Sequence, residues 1–504
     1  MAEQAAPQPV TPRPVTPEPV TPEPVAPEPV TRRTWLALVV LMTGAFMSLL
    51  DTTIVNVALQ SIRDSLDASN STLEWIISGY ALAFGLTLIP AGRLGDRYGH
   101  KWVFMTGLAL FTLASLACGL AQDSAGLIAA RIVQGAAGGI FFPAVTALIR
   151  IMFSGATIGR ALGVLGAVIG VSAALGPVIG GVIIEIAGED LGWRLVFGVN
   201  IPIGVLALVA AFVLLPGARR HASAARVDVV GLVLLSAGLI AILVPLIEGQ
   251  TLGWPAWTYL TLVAGVLLLV GFAFWERREA RLGLSPLVPP HLFSHAAFTG
   301  GVILATVYFA AFTSIFFVIT IFWQAGLGAS ALEAGLVALP FSIGSILGAT
   351  SSDRLAQRLG RGVLVLGTGL VAVGLAAIWG VLVVAGTGVT SWALLVPLFA
   401  AGVGSGFFIA PNTRFIVSTV GRSEAGAASS VLGTAQRIGS AIGIAVIGSV
   451  FFGTLNFGAD GAGGAADAFS RSAQFAIAVS VAFAFAAFAL VFALPKRVPE
   501  SPPA

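Results

Sequence analysis

Charge is scarce in this chain. Asp, Glu, Lys and Arg make up only 10% of the 504 residues, whereas 57% are apolar and the mean hydropathy is +0.97. Soluble domains carry about 25% charged residues, so these values exclude the soluble globular classes and indicate a polytopic membrane protein. Lysine is almost missing: Lys101 sits in HKW and Lys496 in PKR. Neither completes the Gly-Lys-Ser/Thr core of a phosphate-binding loop, so ATP is not the chain's own fuel. The one cysteine, Cys118, lies inside an apolar run, which excludes an intramolecular disulfide and reads as core packing. The histidines are His100, His221, His291 and His295, and no HExxH contains them, which argues against an intramembrane metalloprotease. There is no GxSxG elbow and no paired set of metal ligands. No catalytic, cofactor or metal site is therefore predicted, and an enzyme is not expected. By elimination, any work must be driven by an ion gradient or by the solute's own.

No secretory signal opens the chain; residues 1–31 run instead as TPRPV, TPEPV, TPEPV and APEPV. Such a proline-rich tail is extended and solvated, either a plain tether or a docking site for a proline-recognising partner. Beyond it come fourteen long apolar runs, near 35–57, 72–91, 102–121, 126–149, 158–186, 195–215, 229–247, 257–275, 297–322, 333–351, 363–386, 389–411, 425–453 and 472–494. They are too long and too little alternating for barrel strands, so each predicts a spanning helix. Sixty-one glycines suit close helix approach in lipid.

An even number of crossings puts both termini on one side. With that side cytoplasmic, twenty basic residues fall inside, including Arg93, Arg97, Lys101, Arg219, Arg220, Arg226, Arg277, Arg354, Arg422, Lys496 and Arg497, and only Arg63, Arg194 and Arg471 outside. The asymmetry predicts that orientation. GRLGDRYGHK, Gly92 to Lys101, is then a cytoplasmic loop between spans 2 and 3.

The chain also repeats itself. GAAGGIFFP from Gly135 returns as GVGSGFFIAP from Gly402, VLG at 164–166 returns at 431–433, and the 92–101 loop has an echo in GATSSDRLAQRLGR from Gly348. The expected architecture is all-α: a six-helix bundle over 32–218, two inserted helices over 219–290, a second six-helix bundle over 291–497 and a short tail over 498–504. Paired bundles around a central site are the architecture of alternating-access carriers.

Ionisable groups inside lipid carry a presumption of function. Asp51 and Arg131 are expected roughly 8 to 9 Å from the outer ends of spans 1 and 4, with Glu74 shallower, and the three are expected to cluster. Burial raises a carboxylate's proton affinity and an approaching guanidinium lowers it, which is proton-coupling chemistry. Asp51 bonding to a neighbouring backbone, and Glu74 solvated by headgroups, are the bland alternatives. Arg437, beside Gln436 in span 13, either lines a cavity or holds the second half together. Gln134, Phe142 and Phe408, with Phe141 and Phe407, are further candidates for a central cavity with few charges. In span 5, Gly159, Gly163, Gly166 and Gly170 form one smooth face, followed by Gly176, Pro177, Gly180 and Gly181. Pro177 should bend that helix, and the face suits either plain packing or sliding against a partner.

These motifs resemble the major facilitator superfamily, specifically its fourteen-helix drug:proton antiporter branch, over residues 32–497. The 92–101 loop, through Gly92, Asp96, Arg97, Gly99 and Lys101, resembles the superfamily's signature loop, with His100 where arginine is more usual. LLDTTIVNVAL from Leu49 is similar to the branch's first-helix motif, although Gln60 stands where proline is common. RIVQGAAGG from Arg131 is similar to the fourth-helix motif assigned to proton transfer, the span-5 element ending GPVIGG to the antiporter motif, and WRLVFGVNIPIG from Trp193 to another mark of the branch. The resemblance implies that Asp96 and the loop's basic residues lock the cytoplasmic side in the outward-facing state. It also implies a proton-coupled exporter of lipophilic drugs or antibiotics in a bacterial plasma membrane. Protons, the drug and the bilayer are the expected partners; ATP, nucleic acid and a second subunit are not. A proton-linked importer of a small metabolite is the alternative, against which the span-5 motif argues.

Overall fold

The computed structural model describes residues 31–154, 156–217, 228–417, 420, 425–456 and 464–495. Residues 1–30 of the proline-rich tail, the 498–504 tail, and Arg219, Arg220, Arg226, Arg422, Lys496 and Arg497 lie outside them. Among the described residues the secondary structure is helical, without strands.

The first bundle contains α1 (Arg32–Leu66), α2 (Asn70–Tyr98), α3 (His100–Gly119), α4 (Ser124–Met152), α5 (Ala156–Ala187) and α6 (Glu189–Leu214). The inserted pair is α7 (Val229–Leu252) and α8 (Ala256–Arg281). The second bundle contains α9 (Ala296–Gly326), α10 (Ala331–Leu359), α11 (Gly362–Ala385), α12 (Ser391–Val417), α13 (Ala425–Thr454) and α14 (Ala465–Val491). Among the described residues thirteen helices are long and apolar enough to cross a membrane singly, and α5 counts as a fourteenth when its bent pair, Thr157–Ser172 and Leu175–Ala187 at 41°, is taken as one span. The bend falls where the missing Pro177 N–H leaves the carbonyl four residues earlier without a helical donor.

Local chemistry sets the boundaries. Thr31, Ser69, Asp123 and Asp228 accept from the first-turn amides of α1, α2, α4 and α7, and Ser330 with Glu333 forms a reciprocal capping box on α10. Gly99, at φ +92°, turns the chain between α2 and α3. α1 runs on to Leu66, well past the expected 57, so Asp51 lies near mid-helix rather than close to an end.

The two bundles share a design down to single contacts. Lys101, opening α3, donates to the Phe212 and Leu215 carbonyls at the end of α6, at 2.8 and 2.9 Å. Arg361, opening α11, donates to the Phe492 and Leu494 carbonyls at the end of α14. Both cations satisfy helix C-termini. Gly135 on α4 lies against the Tyr80 backbone of α2, and Gly402 on α12 lies equivalently against the Phe341 backbone of α10.

Between the bundles the two main seams differ. α2 and α13 meet from Glu74 against Gly448, through Gly85 against Thr434 and Arg437, to Leu88 against Gly433 and Gly92 near Ser430. α7 packs over this seam, touching both helices, while α8 packs chiefly on α7. α5 and α10 touch at Gly181 against Leu332, Pro177 against Gly335 and Gly170 against Ile346. They then part: nothing lies within 4 Å of a Cβ built at Gly159, Gly163 or Gly166. The paired bundles are thus closed on the face of residues 67–70 and parted between α5 and α10 on the face of residues 92–101.

Gly402→Ala should lower the melting temperature by several degrees, because its methyl would enter the Phe341 backbone, whereas Gly166→Ala should shift it by less than about 1 °C. Thermal unfolding of the purified variants by tryptophan fluorescence checks the contrast.

Candidate functional site

The centre of the first bundle holds a polar cluster sealed from solvent. Asp51 (α1), Ser115 (α3), Arg131 and Gln134 (α4) and Asn200 (α6) are all 0% exposed. Arg131 Nη1 donates to Asp51 Oδ2 at 2.5 Å and to Gln134 Oε1 at 2.7 Å, and its Nε donates to the Ile76 carbonyl of α2 at 3.1 Å. Gln134 and Asn200 each donate to Asp51 Oδ1, at 2.9 and 3.1 Å, and both also donate to Ser115 Oγ. Ser115 in turn donates to the Phe197 carbonyl at 2.9 Å. The Tyr80 ring of α2 lies 4.2 Å from Arg131 Cζ. Five helices therefore share one polar network, at whose centre the Asp51 carboxylate accepts three N–H groups from three side chains of α4 and α6.

Sequence folding explains how Asn200 arrives there. Pro202 deprives the Gly198 carbonyl of its helical donor, and α6 is interrupted between Gly198 and Asn200. Asn200 lies inside WRLVFGVNIPIG but was not singled out among the predicted sites. Ser115 and Tyr80 were missed as well; the only available signal was a polar atom in an otherwise apolar run.

The predicted site residues divide. Asp51 and Arg131 meet. Glu74 does not join them: it is 2% exposed at the α2–α13 seam, with its Cδ 2.6 Å from where a Cβ on Gly448 would stand. Among the described residues its Oε2 has no hydrogen-bond partner, and neighbouring Trp75 donates to Glu248 of α7 at 2.8 Å. Gln134 belongs to the sealed cluster rather than to a cavity wall. Phe141 and Phe408 are likewise core residues at 0% exposure, Phe141 edge-on to Phe104 and Phe111 and Phe408 stacked on Tyr308 at 4.0 Å. Phe142, Phe407 and Arg437 remain half-buried.

The expected 92–101 loop is nearly all helix, because α2 runs on to Tyr98 and α3 opens at His100 with Gly99 alone turning the chain. In this stretch Asp96 is 67% exposed and its ion-pair partner is His100, at 3.4 Å. Arg97 lies over the Tyr98 ring at 5.2 Å. Lys101 caps α6 instead of reaching the other bundle. Arg93, absent from the predicted gate, donates to the Ser285 and Pro286 carbonyls in the linker after α8. Among the described residues, Asp96 and Arg97 make no ion pair with the second bundle.

The Major Facilitator Superfamily profile matches residues 41–228, 222–444 and 301–504. The chain belongs to the major facilitator superfamily. As a superfamily member it is a multi-pass membrane transporter and not an enzyme. It is 37% identical over 424 residues to a "Probable actinorhodin transporter" of Streptomyces coelicolor, covering 84% of this chain and 73% of the relative. It is 35% identical to the "Tetracenomycin C resistance and export protein" of Streptomyces glaucescens, covering 82% and 76%. The Amycolatopsis lactamdurans cephamycin export protein is also 35% identical, with 88% and 91% covered. Among solved structures, a partially occluded inward-open xylose transporter from E. coli superposes with TM-score 0.63 at 12% identity over 94% of this chain and all of that one. At that identity the superfamily neighbour speaks for the fold alone.

Arg131→Ala should destabilise the protein by about 3–5 kcal/mol, since it strands a buried carboxylate. The double variant Asp51→Asn/Arg131→Gln should recover at least half of that loss. Denaturant or thermal unfolding of both singles and the double reads the coupling; simple additivity would show that the pair does not act as a unit.

Proposed function

We propose that this transporter exports lipophilic drugs or antibiotics from a bacterial cell in exchange for protons, using alternating access and no ATP, as a monomer with both termini cytoplasmic. The observation that carries the reading is Asp51, a carboxylate at mid-helix held by Arg131, Gln134 and Asn200 inside the moving bundle. Protonating Asp51 weakens its ion pair with Arg131, and reionisation restores it. That is a two-state element which a proton gradient can bias. The three relatives whose names record antibiotic transport, resistance or export support the direction.

On this orientation the open face is cytoplasmic. Asp96 and Arg97 are then the disengaged halves of a gate that closes against the second bundle when the carrier turns outward. The smooth Gly159, Gly163 and Gly166 face is the surface on which α10 lands. Residues 32–218 and 291–497 act as the rocking bundles and 219–290 as the inserted pair. Glu74, buried at the seam, is a second proton carrier that opening on the far face would wet.

Drug added to everted vesicles bearing an imposed pH gradient should release protons, and Asp51→Asn should abolish that release while drug binding persists. Persistent release in Asp51→Asn would sink the coupling assignment. Gly166→Leu should fold with unchanged melting temperature yet lose at least about tenfold in transport rate, because the leucine occupies the landing surface only in the other state. Rates and melting curves on one preparation separate these effects.

A further inference from the structure

The described interior holds two mid-helix arginines and only one of them has an acid. Arg131 is paired with Asp51. Arg437 stands well within α13, half-buried, and its guanidinium makes no hydrogen bond or ion pair with any described residue. Gln436 beside it is also half-buried and its side chain makes no bond. Neither side chain is among the sealed, unsatisfied groups, and both residues keep part of their surface uncovered. Beneath Arg437 lies the Phe84 ring, 4.2 Å from Cζ, and the Phe142 ring is 5.9 Å from that of Phe84. A guanidinium among hydrocarbon without a counter-charge is costly, and a ring face offsets only part of the cost. The planar N–H fork left free is shaped for two parallel bonds to a carboxylate.

We propose that Arg437 recognises the charge of the transported guest, and that this guest is an aromatic acid bearing a carboxylate or an ionised phenol. The proposal rests on the exporter reading in taking the space beside Arg437 as the guest site. Phe84 and Phe142 supply aromatic contact while Arg437 supplies the counter-ion. The two arginines stand on rings one helical turn apart, since Arg131 lies over Tyr80 and the Tyr80 and Phe84 centroids are 6.0 Å apart. An anion at Arg437 attracts a proton towards Asp51 rather than repelling it. Exchange therefore cannot arise from charge repulsion between guest and proton; it arises because the two conformations favour different occupants. Exporting a monoanion against one entering proton moves two charges across the membrane, so an inside-negative potential assists the cycle.

Fluorescein and rhodamine 6G share a xanthene ring and differ in charge. With the full chain in nanodiscs of neutral lipid at pH 8, fluorescence anisotropy should show fluorescein binding at least about tenfold tighter than rhodamine 6G. Arg437→Ala should remove that preference, and Arg437→Lys should restore part of it with an unchanged melting curve. Equal affinity for the two dyes, or equal weakening of both by Arg437→Ala, overturns the proposal. Transport in pH-gradient liposomes separates it from the exporter reading. Selective binding of fluorescein without movement sinks the exporter and leaves the recognition, whereas movement of rhodamine 6G with neither binding nor movement of fluorescein does the reverse.

Discussion

One buried ion pair organises the first bundle. Asp51 and Arg131 are expensive to place in a low-dielectric interior, and the surrounding helices are shaped by the need to satisfy them. α6 breaks to deliver Asn200, α3 contributes Ser115, α2 offers the Ile76 carbonyl and the Tyr80 ring, and Gln134 sits one turn beyond Arg131 on α4. A helix contributing no polar atom could shift freely; each of these five is registered to the others by a directed bond. The cluster thus ties α1, α2, α3, α4 and α6 to one another and places the Asp51 carboxylate where they meet.

The chain revealed its architecture readily because lipid leaves few choices. Each crossing had to be a long apolar helix, the repeated glycine motifs announced the two halves, and Pro177 announced the bend in α5. Asp51 and Arg131 were legible as partners because charges in apolar runs are rare. Their network was less so: Ser115, Tyr80 and Asn200 are individually ordinary, and only the fold shows them converging. The phenylalanines defeated the reading for a related reason. Adjacent Phe141 and Phe142 look alike in sequence, yet helical rotation sends one into the core and leaves the other half-buried. Glu74 was misplaced because depth along a helix says nothing about the direction in which the side chain points.

Internal symmetry and its breaking both carry information. Lys101 on α6 and Arg361 on α14 tie the third helix of each bundle to its sixth by the same helix-end chemistry. Among the described residues the buried ion pair has no such duplicate: the second bundle brings Arg437, on α13, without an acid. The two halves thus share their helix-end contacts and differ in the polar groups at their centres.

The two inter-bundle seams give the molecule the form of a book. α2 and α13, braced from outside by α7, are its spine, continuous from Glu74 and Gly448 to the neighbourhood of Gly92 and Ser430. α5 and α10 are the fore-edge, joined near Gly181 and parted beyond Gly166. A book opens sideways as well as at its end. Any way in from the flank of the paired bundles therefore lies along the parted α5–α10 edge and not along the braced α2–α13 spine.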